Sequence, residues 1–243
     1  MSLLSPWVWA IHIASVSEWT LAIILLWNYA GKMARPDLRR MSLAMLPHWG
    51  AGMCVLAWHF NNDTPNLPLL PRMQEFLTSV GSVSLCLTAV SLREWRARFP
   101  RFSTTVAGLG VAAIVYFSYL RMTTSYGGAT GMMIQGAGMA YLAFIIFLIV
   151  NRRWDKDAFN PVAITGYALI IFFIITTISL TIVARKYFFV TSVTQVDWLH
   201  GIAEGTMTIA NTTLAVGILR NLRRISNVRE GIPDGMLSPG GVR

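Results

Sequence analysis

The chain has 243 residues, of which 54% are hydrophobic and only 13% charged. Water-soluble domains carry about 25% charged residues, so this composition excludes an ordinary soluble protein and makes lipid the expected solvent. The formal net charge of +9 does not indicate nucleic acid as a partner, because the basic residues sit in short clusters between apolar blocks and form no aromatic-interleaved stripe.

The apolar residues come in blocks of about twenty, the length that spans ~30 Å of hydrocarbon as a helix. The ten-residue alternation of a membrane β-barrel is absent. The first block, Pro6–Ala30, lacks a basic leader and runs too long for a cleavable signal peptide, so it reads as a retained span. Its His12, Ser15 and Trp19 share one face, with Glu18 beside Ser15.

The second block, Ser42–Phe60, carries His48 and His59. Eleven residues apart, they return to nearly the same face about 16 Å along the axis. Cys54 lies here and Cys86 in the next block; with no CxxC spacing they read as core residues. Cys54 and His59 point to different faces, so no nucleophile–base pair is formed. Pro47, near the inner end of this block, is the single sign of a broken helix.

The connection Asn61–Arg72 contains Pro65, Pro68 and Pro71 and is expected to be extended and stiff. The third block is Glu75–Leu92, the fourth Phe102–Leu120 and the fifth Gly131–Val150. Gly108 and Gly110, then Gly131, Gly136 and Gly138, would allow close helix approach. The sixth block is Val162–Ala184 and the seventh Asp197–Leu219. In the seventh, Asp197, His200, Glu204, Thr208 and Asn211 recur every three or four residues and occupy roughly an 80° arc. The tail Ile225–Arg243, rich in Gly and Pro, reads as flexible.

Charge sets the orientation. Basic clusters follow spans one (Lys32, Arg35, Arg39, Arg40), three (Arg93, Arg96, Arg98, Arg101), five (Arg152, Arg153, Lys156) and seven (Arg220, Arg223, Arg224, Arg229, Arg243). Only Arg72, Arg121, Arg185 and Lys186 fall on the opposite connections. Basic loops stay cytoplasmic, so the expected fold is all-α: a polytopic bundle of about seven transmembrane helices, N-terminus outside, C-terminus cytoplasmic. Residues 1–101 form a three-helix N-terminal half, 102–130 an additional helix and outer loop, 131–224 a three-helix C-terminal half, and 225–243 a cytoplasmic tail.

Ionisable groups inside a span are costly and mark candidate sites. In this orientation His12, His59, Asp197 and His200 gather in the outer half, Glu18 and Glu204 lie just below, and Asn211 continues the same stripe. These seven residues are the candidate pocket. Taken singly, each also reads as helix-packing glue; their convergence at one depth points to a site. His200 and Glu204 could share a metal with Asp197 or His59, although no metal motif of known spacing is present and none is assigned. A tetrapyrrole or a quinone is equally open. The nucleophile, base and oxyanion donor of an enzyme cannot all be named, so the reading leans away from catalysis.

These landmarks also carry a resemblance. Trp9-x-x-His12-x-x-Ser15-x-x-Glu18-Trp19 and Cys54-x-x-x-Trp58-His59-Phe60 with Asn62 resemble the conserved chloroplast reading frame 49 family of cyanobacteria and plastids. Val196-Asp197-Trp198-Leu199-His200-Gly201, Ala203-Glu204, Thr208 and Asn211 resemble a second, uncharacterised family of photosynthetic membranes. The resemblance implies a thylakoid or cytoplasmic membrane of an oxygenic phototroph or plastid. It brings no established reaction. It suggests a scaffold, assembly or division factor with membrane-complex subunits as partners; a pigment-, quinone- or lipid-binding protein or enzyme is the alternative, and a small proton-coupled transporter a third. The lack of a transit peptide favours a bacterial or plastid-encoded product, or a mature form.

Overall fold

Proline starts several of the helices, as expected where the missing N–H costs nothing. The computed structural model describes residues 4–61, 69–123 and 130–229. Within them run α1 (Pro6–Lys32), α2 (Pro36–Ala44), α3 (Leu46–Phe60), α4 (Leu69–Val90), α5 (Arg93–Arg98), α6 (Pro100–Thr123), α7 (Thr130–Asn151), α8 (Pro161–Phe188) and α9 (Asp197–Arg229). A 3-10 turn, Val193–Gln195, precedes α9. The fold is all-α, with no strand among the described residues. Among the described residues, five helical stretches are long and apolar enough to cross a membrane: Pro6–Lys32, Leu69–Val90, Pro100–Thr123, Pro161–Phe188 and Asp197–Asn227.

The faces of these helices support a lipid surround. Ile13, Leu21 and Ile24 of α1, and Phe172, Ile175, Ile178 and Ile182 of α8, all point outward. Soluble monomers rarely expose apolar belts of that extent. Inward, Leu26, Tyr29, Phe144, Leu148, Tyr167 and Leu214 are almost fully buried in one core. The second block is interrupted. Helix α2 ends at Ala44 and α3 starts at Leu46, with Met45 as a turn between them. Pro47 has no N–H to give to Leu43, which removes one helical bond at the break.

Two boundaries differ from the sequence reading. Leu69–Arg72, expected as extended loop, is the first turn of α4; Pro71 fits there because the first helical N–H groups need no intrahelical partner. Pro65 and Pro68 lie outside the described residues. Likewise Ile225–Arg229 is helical and continues α9 instead of opening the tail. Leu222 and Ile225 pack against the core, which holds these last turns in place. Residues 230–243 lie outside the description.

Helices α8 and α9 meet closely. At Gly166 an added Cβ would strike the backbone of Leu214, and at Gly217 that of Ala163. Asn160 caps α8 by accepting from Ala163 N–H at 2.8 Å, and its amide donates to Gly217 O at 2.7 Å. Of the glycines expected to ease helix approach, Gly110 faces Leu87 and Gly136 faces Phe117, whereas Gly108 and Gly138 have open space. The surroundings of Gly131 lie outside the described residues.

The basic connections meet at one end of the bundle. The Arg35 guanidinium donates to Asp37 at 2.9 and 2.7 Å and to Asp155 at 2.8 Å. Arg93 N–H donates to the same Asp37 carboxylate at 2.9 Å, and Lys32 donates to Ser226 at 2.7 Å. Burial would raise the Asp37 carboxyl, but the bonds from Arg35 and Arg93 outweigh it and hold the pKa below the ordinary 3.8.

Candidate functional site

Packing of α1 against α9 and of α3 beside α1 brings three histidines together at the other end. His12 comes from the second turn of α1, His59 from the last turn of α3 and His200 from the first turn of α9. All three are buried. Their ring centroids are 4.9 Å apart for His12–His59, 4.9 Å for His12–His200 and 5.2 Å for His59–His200. One ring nitrogen from each lies within 4.8 Å of the other two. Glu204, one turn below His200, reaches both neighbours: Oε2 is 3.7 Å from His12 Nδ1 and Oε1 is 4.0 Å from His200 Nε2. His12 Nε2 and His200 Nδ1 are buried with no hydrogen-bond partner in the protein. Trp9 and Trp58 pack their rings against His59.

The other candidates tie α1 to α9. Asp197 accepts from Ser5 N–H at 3.0 Å, joining the starts of the two helices. Asn211 donates to Ser15 O and Oγ, each at 3.0 Å. Glu18 accepts from Thr212 Oγ1 at 2.8 Å on a more exposed face. Thus His12, His59, His200 and Glu204 form one cluster, whereas Asp197, Asn211 and Glu18 are bonded as interhelical clamps.

Beside the cluster, α1, α3, α4, α7, α8 and α9 enclose a cavity of about 410 Å³. His12, Glu204 and Asn211 contribute to its wall; His59, Asp197, His200 and Glu18 do not. Much of the wall is apolar, including Val55, Ile170, Phe173 and Met207. Polar groups interrupt it at a few points: His48, Glu75, Ser82 and Tyr141. His48 Nε2 lies 3.3 Å from Ser82 Oγ, its ring meets Trp19 and Tyr141, and its Nδ1 has no hydrogen-bond partner in the protein. Asn211 Oδ1 is unpartnered in the same way. Gly81 is what admits the His48 ring, since a Cβ there would overlap it. Glu75 also lies 3.6 Å from Arg121 of α6.

Sequence reasoning named His48 without placing it in the pocket, and it missed Glu75 and Tyr141. The His48–His59 spacing put both on one face of span two, which was the available signal. Glu75 and Tyr141 gave none, because their partners lie on helices remote in sequence.

The Ycf49-like protein of the cyanobacterium Synechocystis sp. is 35% identical over 89 residues, 37% of this chain and 86% of that relative. The chain belongs to the Ycf49-like family. A family described as a protein of unknown function (DUF2499) matches residues 3–91, and another so described (DUF3593) matches residues 130–223. No solved structure matches. His12 and His59 fall in the first matched stretch, and His200, Glu204 and Asn211 in the second. The three-histidine cluster and the cavity are therefore assembled from both.

Proposed function

We propose that this family member is an integral membrane protein that holds one small, mainly apolar molecule with a polar end in its central cavity. The observation that carries the reading is the cavity itself. Ligand sites in proteins are typically apolar hollows of ~300–1,000 Å³ with a few placed polar groups, and this one, about 410 Å³, presents unpartnered atoms of His48 and Asn211. A quinone, a lipid chain with its headgroup or a pigment fragment has that chemistry. Binding is favoured over a purely scaffolding or division role because close-packed helices leave no such hollow when packing is their only task.

The same reading takes the bundle to cross the bilayer seven times, N-terminus outside, in a thylakoid or cytoplasmic membrane. Its support is the gathering of Lys32, Arg35, Arg93 and Asp155 at one end, the positive-inside rule and the cyanobacterial relative. The two halves and the intervening helix α6 of the sequence reading belong to this proposal too.

The test is purification in mild detergent, followed by organic extraction, mass spectrometry and an absorption spectrum. The reading expects about one small molecule per chain. A chain free of small molecules that instead co-purifies with membrane-complex subunits would favour the scaffold.

One observation keeps a transporter in play. The helix is interrupted at Met45, three residues before cavity-lining His48, and broken helices are where transporters place their sites. Proton-coupled uptake into vesicles, abolished by His48→Gln, would establish it.

A further inference from the structure

Three buried imidazoles packed against one another would be an expensive way to join helices. Each has one donor and one acceptor nitrogen, and buried polar atoms are normally paired. Here Glu204 stands near one nitrogen of His12 and one of His200, yet His12 Nε2 and His200 Nδ1 have no partner in the protein. Those rings nevertheless meet His59 at centroid distances of 4.9 and 5.2 Å.

We propose that His12, His59 and His200 bind one divalent transition-metal ion at the end of the bundle, with Glu204 as its charge partner. The donor set selects the ion. Nitrogen ligands suit zinc, copper, nickel or iron, whereas calcium and magnesium demand oxygen. Zinc is the expected occupant, since it takes three histidines with an open fourth position. Zn–N bonds of about 2.0–2.1 Å place ligand nitrogens roughly 3.4 Å apart on a tetrahedral ion. The present separations, up to 4.8 Å, would have to shorten toward that value when an ion binds.

The surroundings suit a charge in this place. Neutral imidazoles leave the ion at 2+, and the Glu204 carboxylate lies within 3.7 Å of a ligand ring. A carboxylate on the far nitrogen of a ligating histidine fixes its tautomer and raises its basicity. This inference is independent of the cavity ligand, and either can fail alone.

The experiment uses the full chain in detergent, stripped with a chelator and reloaded with Zn²⁺ or Co²⁺. The expected result is one Zn²⁺ per chain after desalting. X-ray absorption should show three imidazole nitrogens at about 2.0–2.1 Å. His59→Ala and His200→Ala should lower affinity at least as much as the ~10–100-fold loss typical of an outer-shell change, and Cys54→Ser should keep the full stoichiometry. Zinc that stays at background in the wild type would overturn the proposal, as would an absorption spectrum with fewer than three histidines. Zinc retained unchanged by both variants would do the same. If the variants fail to fold, the wild-type stoichiometry and spectrum decide.

Discussion

His12 Nδ1 and Glu204 Oε2 lie 3.7 Å apart, and this pair joins the first helix of the chain to the last. The two residues come from different family stretches, and each also faces the cavity. Glu204 has a second neighbour in His200, at 4.0 Å. Glu204→Gln keeps the shape and removes the charge. It should weaken Zn²⁺ affinity by about 10–100-fold with little change in helix content, read by competition titration and circular dichroism.

The amide N–H of Asn211 ties α9 to α1, apart from the Oδ1 that it leaves to the cavity. Asn211→Ala removes both bonds to Ser15 and should cost about 1–2 kcal/mol, the scale of interhelical hydrogen bonds in membranes. Thermal unfolding in detergent measures it. The loss should be the same with and without added metal, since Asn211 lies deeper than the histidine cluster.

Glycine substitutions separate close contact from open surface. Alanine is a better helix former than glycine by about 1 kcal/mol, so Gly108→Ala, where nothing lies within 4 Å, should raise the unfolding temperature. Gly166→Ala drives a methyl into the Leu214 backbone, and overpacking of about 1–3 kcal/mol should reverse the sign. The two variants compared in one detergent provide the check.

At the opposite end, Asp37 binds Arg35 and Arg93 N–H, and its pKa is held below 3.8. A carboxyl whose pKa is lowered by folding stabilises the fold above its unfolded value, and that contribution disappears as the pH falls through the lower, folded value. Wild-type unfolding temperature should therefore drop below about pH 4, where an unfolded aspartate begins to bind its proton. Asp37→Asn should be less stable at neutral pH, by about 3–5 kcal/mol for a broken buried pair, and should show a weaker acid dependence.

Much of this was legible in the sequence because hydrophobic blocks and charge clusters are local signals. The apolar blocks anticipated the helices, and the three-to-four spacing from Asp197 to Asn211 anticipated an inward stripe. His12, His59 and His200 were named on the same grounds. Their meeting within 4.8 Å was not legible, since it depends on how α1, α3 and α9 pack. Nor could spacing reveal that Asp197 would take Ser5 and Glu18 would take Thr212. The extents of α4 and α9 were misjudged because prolines and glycines nearby suggested loop, while a proline in a first turn and apolar contacts at a last turn both permit helix.

If the cavity holds a small molecule, native mass spectrometry of the detergent-released chain will detect it bound. Gly138 lies on the cavity wall, and a Cβ added there would have nothing within 4 Å, so Gly138→Leu should narrow the hollow. The wild-type chain should carry a discrete one-to-one adduct that is lost or much reduced in Gly138→Leu. A bare wild-type mass, or an adduct unchanged by the substitution, would contradict binding in the cavity.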